Sequence, residues 1–281
     1  MSELSVNDDH STAAGDRIGR HDVLTPSAEG PANRLVKSAA RGHVLTATAI
    51  ALLASYVAMG VILVALGLLI THVLEHGLIG VWDHHVSQWF DRHRTARWDR
   101  ITGDLTDLAD TFEVAGVAAF VTVVLLFRRW GRQAFLILAG LAVELSVFLT
   151  ANAIVARPRP RVSHLGGTPS TYSFPSGHTA ATVMLWGGIA VIVLVSTTRR
   201  WPRILMWTLA VVLTVAVALS RVYRGEHYPT DVLSGFVLGV GSLAAAVFII
   251  RVCGVGHALQ RHVAQKQIAV RDVGSPDEDL P

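Results

Sequence analysis

The sequence predicts an all-α integral membrane protein: a six-helix bundle with an interfacial amphipathic helix and disordered polar tails. Three observations carry that prediction. Hydrophobic residues make up 51% of the chain and charged residues only 16%, whereas about a quarter of a typical soluble domain is charged. The apolar residues gather in runs near the about 20 residues that a helix needs to cross a bilayer. The polar residues collect at the two ends and between the runs.

Residues 1–40 are rich in Ser, Asp, Gly and Pro. Such a stretch buries too little apolar surface to fold alone, so it reads as a disordered tail. No apolar core of a secretory signal lies near the start. A membrane domain follows over residues 43–252. Its first span, 43–74, has no Asp, Glu, Lys or Arg and is long enough to tilt. The stretch 75–110 mixes Trp82, Trp89, Phe90 and Trp98 with charges, the pattern of a helix lying in the headgroup layer. Further spans are expected at 112–127 (the shortest), 133–155, 179–197, 202–219 and 232–250. In the last, Gly235 and Gly239 stand at the spacing that lets a neighbouring helix approach closely. Residues 253–281 read as a polar C-terminal tail. The single cysteine, Cys253, excludes an internal disulfide and a multi-cysteine metal site. A net charge of +3 favours anionic headgroups. No basic patch alternates with aromatics on a polar domain, which argues against nucleic acid.

Orientation follows from arginine counting. "RRWGR" (128–132) and "RRWPR" (199–203), with Arg34, Lys37 and Arg41, place the termini in the cytoplasm. The opposite loops also carry arginines: Arg157, Arg159 and Arg161, then Arg221 and Arg224. That orientation therefore requires those arginines to be kept for another purpose.

Six spans bring "ARPRPRVSHLGGTPSTYSFPSGH" and "SRVYRGEHYPTD" to one membrane face. Arg157, Arg159, Ser176, His178, Arg221, His227 and Asp231 then all stand at helix ends on that face. Ser176-Gly177-His178 opens a helix, where free N–H groups attract an anion and glycine lets a ligand come close to the backbone. Arginine forks fit phosphate oxygens. His227 and Asp231 are spaced i, i+4, so the carboxylate can hold one imidazole nitrogen and leave the other as nucleophile or base. His178 can act as general acid. The set suits phosphoryl transfer with no metal and no cofactor.

These residues resemble the type-2 phosphatidic acid phosphatase (PAP2) superfamily, with motifs K-x6-R-P, P-S-G-H and S-R-x5-H-x3-D. "PSGH" stands at Pro175–His178 and "SRVYRGEHYPTD" at Ser220–Asp231; the first motif ends at Arg159-Pro160. The resemblance covers roughly residues 110–250. It implies a metal-independent hydrolase of lipid phosphates at the cell membrane. His227 would become a phosphohistidine, Asp231 would orient it and His178 would protonate the leaving oxygen. Arg159, Arg221, Ser176 and Gly177 would hold the phosphate. One position departs: Asn152 stands where the family has lysine, and Arg157, Arg161 or Arg224 could supply the missing charge. Asn152 and Arg157 are thus further candidates for the phosphate site. Glu144, an acid inside the third span, is either a satisfied structural group or part of a site. The implied substrates are undecaprenyl diphosphate, phosphatidic acid or phosphatidylglycerol phosphate. A lipid phosphotransferase, a non-catalytic scaffold and a transporter are the competing readings. Charges at helix ends rather than at the bilayer midplane argue against the transporter.

Overall fold

The computed structural model describes residues 44–166 and 171–273, besides Pro31, with side chains to residue 254. The expected N-terminal tail and the last eight residues of the chain, 274–281, lie outside the described residues, Pro31 apart. Among the described residues there are eight α-helices, one short 3-10 turn and no strand. In chain order the helices are α1 (Val44–His72), α2 (Leu78–Arg92), α3 (Ala96–Asp107), α4 (Thr111–Phe127), α5 (Gly131–Val155), α6 (Gly177–Ser196), α7 (Arg200–Tyr223) and α8 (Pro229–Val273).

Five helical segments are long and apolar enough to cross a membrane, or six when α3 and α4 count as one span bent by 46°. The 17 residues of α4 are at the short end of what a full span needs. Two other boundaries move. α7 runs one turn past the expected end, so Ser220 and Arg221 sit in its last turn. α8 continues through Val273. Residues 253–273 are therefore helical in backbone rather than a coil; they contain no proline to stop the helix begun in the membrane.

The 75–110 stretch forms two helices, α2 and α3, instead of one. On α2 the inward residues Gly80, Asp83 and Ser87 are small or polar, while Trp82 and Trp89 are exposed. The helix turns a polar face to the protein and an aromatic face outward.

α8 is the central helix and packs against α1, α5 and α6. Gly235 and Gly239 make its contact with α6 close: a Cβ at Gly235 would lie 2.4 Å from the Ser176 carbonyl oxygen, and one at Gly239 2.7 Å from that of Ala180. Two apolar clusters complete the core. One, with Leu63, Val147, Phe174, Leu238 and Ile249, joins α1, α5 and α8. The other, with Leu136, Ile137, Met184 and Ile250, joins α5, α6 and α8. The C-termini of α1, α5 and α7 and the N-termini of α4, α6 and α8 meet at one end of the bundle, and there the polar residues collect.

Candidate active site

A cavity of about 430 Å³ opens at that end. Its polar lining includes Arg159, Thr171, Gly177, His178, Arg221 and His227. Arg159 follows the end of α5, Gly177 and His178 open α6, Arg221 ends α7, and His227 precedes α8. The turn before His227 depends on Gly225, at φ +76° and closed in by the Ser163 carbonyl. A side chain there would be both strained and obstructed.

His227 is buried, and its Nδ1 lies 2.6 Å from the Ser173 carbonyl oxygen. A carbonyl only accepts, so Nδ1 carries the hydrogen. Nε2 is then the nitrogen with a free lone pair. Burial holds the imidazole well below its ordinary pKa, and the Arg221 and Arg159 charges add to the effect. The shift favours the neutral ring, the form in which an imidazole nitrogen can attack.

This geometry corrects one expectation. Asp231 does not hold the imidazole. Its Oδ1 accepts from Arg157 (2.7 Å), and its Oδ2 accepts from the Ser173 hydroxyl and the Tyr228 N–H. The i, i+4 spacing brings Asp231 near, but three donors already occupy the carboxylate. It acts on His227 through Ser173, whose side chain it binds and whose carbonyl orients the ring.

A second correction concerns Arg157. Ala156, in the left-handed conformation, caps α5 and is followed by an arginine that is fully buried away from the cavity. Its guanidinium binds Asp83 (3.0 Å), Asp231 and Thr230 and lies over the Tyr228 ring at 4.2 Å. Burial acts to lower its pKa, but Asp231 and Asp83 outweigh that and raise it. Arg157 is thus held by carboxylates and does not line the cavity. Arg224 is also committed, to the Asp99 and Leu165 carbonyls.

Asn152, where the lysine of the motif was expected, bonds to the backbone of the following loop. Its Nδ2 donates to the Tyr172 and Phe174 carbonyls, and its Oδ1 accepts from the Tyr172 N–H. It clamps the loop that leads into Pro175–His178 and takes no place on the cavity wall. Ser176 is likewise buried; its hydroxyl pairs with Thr179 and its N–H donates to the Asp231 carbonyl. At this helix start the cavity meets Gly177 and His178 instead.

Two acids that the sequence reading missed complete the site. Glu226, buried between the arginines, accepts from Arg159 (3.1 Å) and lies 3.8 Å from Arg221. Arg159 also donates to the Glu226 and Thr171 carbonyls. Burial lowers the Arg159 pKa, and Glu226 partly offsets this. Asp110, just before α4, accepts from His178 Nε2 at 2.8 Å. Glu226 could have been suspected from its place inside the third motif. Asp110 and Asp83 carried no signal, because only the fold brings them to the motifs.

Fold and site together define a membrane-spanning helical protein with a cationic pocket that carries two histidines. Residues 133–253 match the PAP2 superfamily model. The chain is 29% identical over 122 residues to an undecaprenyl-diphosphatase of Sulfolobus acidocaldarius, covering 42% of this chain and 55% of that one. It is 34% identical over 114 residues to a decaprenylphosphoryl-5-phosphoribose phosphatase of Mycobacterium tuberculosis, covering 39% and 58%. Over 76 residues it is 37% identical to a phosphatidylglycerophosphatase B of Bacillus subtilis, covering 25% and 36%. The alignments thus span about half the length of these relatives, or less. A solved PAP2-type phosphatidylglycerolphosphate phosphatase from Bacillus subtilis shares the fold, with a TM-score of 0.59 and 23% identity over 68% of this chain and 94% of that one. Asp83 and Asp110 lie outside the matched 133–253 segment.

Proposed function

We propose that this chain is a membrane lipid phosphate phosphatase that works through a phosphohistidine on His227. The observation that carries this reading is the Ser173 carbonyl on His227 Nδ1, which reserves Nε2 for attack beside two arginines on a cavity wall. Nε2 attacks phosphorus while the bond to the leaving oxygen breaks, and His178 gives that oxygen its proton. Water then attacks the phosphohistidine and loses a proton to His178. Inorganic phosphate leaves, and both rings are restored.

Arg159, Arg221 and the N–H groups at the start of α6 face the charge that develops on the equatorial oxygens. These cations suffice for the reading without a metal, so phosphate release is expected to continue in EDTA. Asp231 acts as a positioning residue through Ser173. The lipid is one that presents a phosphate or diphosphate at the headgroup level. Undecaprenyl diphosphate and phosphatidylglycerol phosphate are the candidates that the named relatives support, with phosphatidic acid beside them. The termini face the cytoplasm and the site faces outward. Trp82 and Trp89 of α2 rest in the headgroup layer on the same side.

The test is phosphate release by the purified chain in detergent from a lipid panel, with EDTA present. His227→Ala abolishes release while the protein remains folded. Retained release in that variant would show that His227 is not the nucleophile. Trapped phosphate that is acid-labile and base-stable identifies the phosphohistidine.

A further inference from the structure

The cavity holds one more ionisable group that this reaction does not use. Glu144 lines it and is only 5% exposed. No hydrogen bond or ion pair to its carboxyl exists among the described residues. Besides Thr111, the rest of the wall is largely apolar and includes Val114, Ala115, Leu141, Leu145 and Ala181. The cavity therefore has a polar side and a largely apolar side, and Leu141 and Leu145 stand on the same helix as Glu144. An acid buried in a membrane without a partner is costly, which leaves the partner to come from the ligand.

Its level on α5 indicates which part of the ligand. Phe148, one turn further along the helix, packs on Gly177: a Cβ on that glycine would be 3.0 Å from the Phe148 ring. Glu144 thus lies about 6 Å along α5 from the level of the phosphate-facing helix start. Atoms a few bonds beyond the ester oxygen of a bound phosphate reach this level. A polyprenyl chain would offer only hydrocarbon there, and a second phosphate would meet a carboxyl with no cation beside it. A hydroxyl can donate and accept, so it satisfies Glu144 in either protonation state.

We propose that Glu144 is a specificity residue that binds a hydroxyl of the leaving alcohol, so that the preferred substrate is a phosphate monoester of a lipid polyol such as glycerol or a pentose. This rests on the phosphatase reading above. The test compares an alkylglycerol phosphate, with a free hydroxyl beside the ester, against the plain alkyl phosphate of equal carbon count and against undecaprenyl diphosphate. It uses the full chain in detergent, as wild type, Glu144→Leu and Glu144→Gln. kcat/KM is measured for each, and the ligand-induced rise in Tm is measured in a His227→Ala background.

Wild type should prefer the hydroxyl-bearing ester by on the order of tenfold. Glu144→Leu should bring that ratio near one, and Glu144→Gln should keep most of it. Equal rates in the wild type, a preference that survives Glu144→Leu, or faster turnover of undecaprenyl diphosphate overturns the proposal. If no substrate is turned over but the Tm rise still depends on the hydroxyl and on Glu144, the phosphatase reading fails and the Glu144 reading stands. If neither readout responds, both fail.

Discussion

At the scale of single residues, the two histidines are held by different partners, and each partner makes a prediction. His227 is oriented by a backbone carbonyl, with Asp231 one step behind. Asp231→Asn therefore lowers kcat more than it raises KM, and Ser173→Ala does so to a smaller degree; steady-state kinetics on one lipid phosphate separates the two parameters. Because burial and the two arginines depress the His227 pKa, the proposed nucleophile should stay neutral where an exposed histidine, with a pKa of about 6.5, would charge. Phosphoenzyme formation measured by rapid quench should keep its rate as pH falls from about 7 to about 6. The linked stability has the matching sign. A depressed pKa contributes stability that is present above the unfolded value and fades as pH falls through the window below it. Asp110 acts on His178, so Asp110→Asn should slow esters with poor leaving alcohols by about a hundredfold and scarcely affect a nitrophenyl phosphate, which needs no general acid. The motif residues His178, Arg159, Arg221 and His227 were legible in the sequence because each stands in a short local motif. The holders Ser173 and Asp110 were not, because their contacts cross 54 and 68 residues.

At the scale of elements, α2 is the part that the sequence described least well. Its tryptophans suggested an element resting on the bilayer, and the face that meets the protein was invisible until Asp83 was found on Arg157 and Thr230. Arg157 joins α2, the end of α5 and the start of α8 between two buried carboxylates. Removing it would leave both acids uncompensated. Arg157→Met should destabilise the protein by about 3–5 kcal/mol, read as a lowered Tm in detergent, whereas Arg159→Met should mainly lower turnover. The α6–α8 contact makes a further test. Gly239→Leu forces a side chain against Ala180 and Val183, an overpacking that costs about 1–3 kcal/mol and displaces the start of α6 from the cavity. That close approach was readable, since glycines four apart on an apolar helix have few other uses. The join between α3 and α4 was not, because a span bent near Asp110 looks in sequence like a short helix after a polar loop.

At the scale of the whole molecule, the helices alternate so that all motif residues reach one end of the bundle. Six apolar runs and their connections already implied this, and length with hydropathy was enough to locate five of them. The helical continuation of α8 to Val273 was hidden by the polar composition of that stretch, which does not forbid helix. Arginine counting left the direction of the bundle to be tested. With Cys253→Ala as background, His164→Cys lies in an exposed loop at the site end and Arg199→Cys at the opposite end. A membrane-impermeant maleimide applied to intact cells should label the first and not the second. Labelling in the reverse pattern would place the phosphate chemistry in the cytoplasm.

The loop from Tyr172 to Ser176 has a consequence for control. Asn152 grips it at Tyr172 and Phe174, His227 leans on it at Ser173, and Asp231 binds it at Ser173 and Ser176. The proposed nucleophile and anion cradle are thus parts of one clasp rather than two neighbouring devices. A small displacement of the clasp would turn the attacking ring and open the cradle in the same movement. Intermediate grades of activity are then hard to reach: the centre works when the clasp is shut and is silent when it is not. A compound that wedges behind Asn152, touching none of the groups that meet phosphate, would switch the centre off as completely as one that fills the cavity.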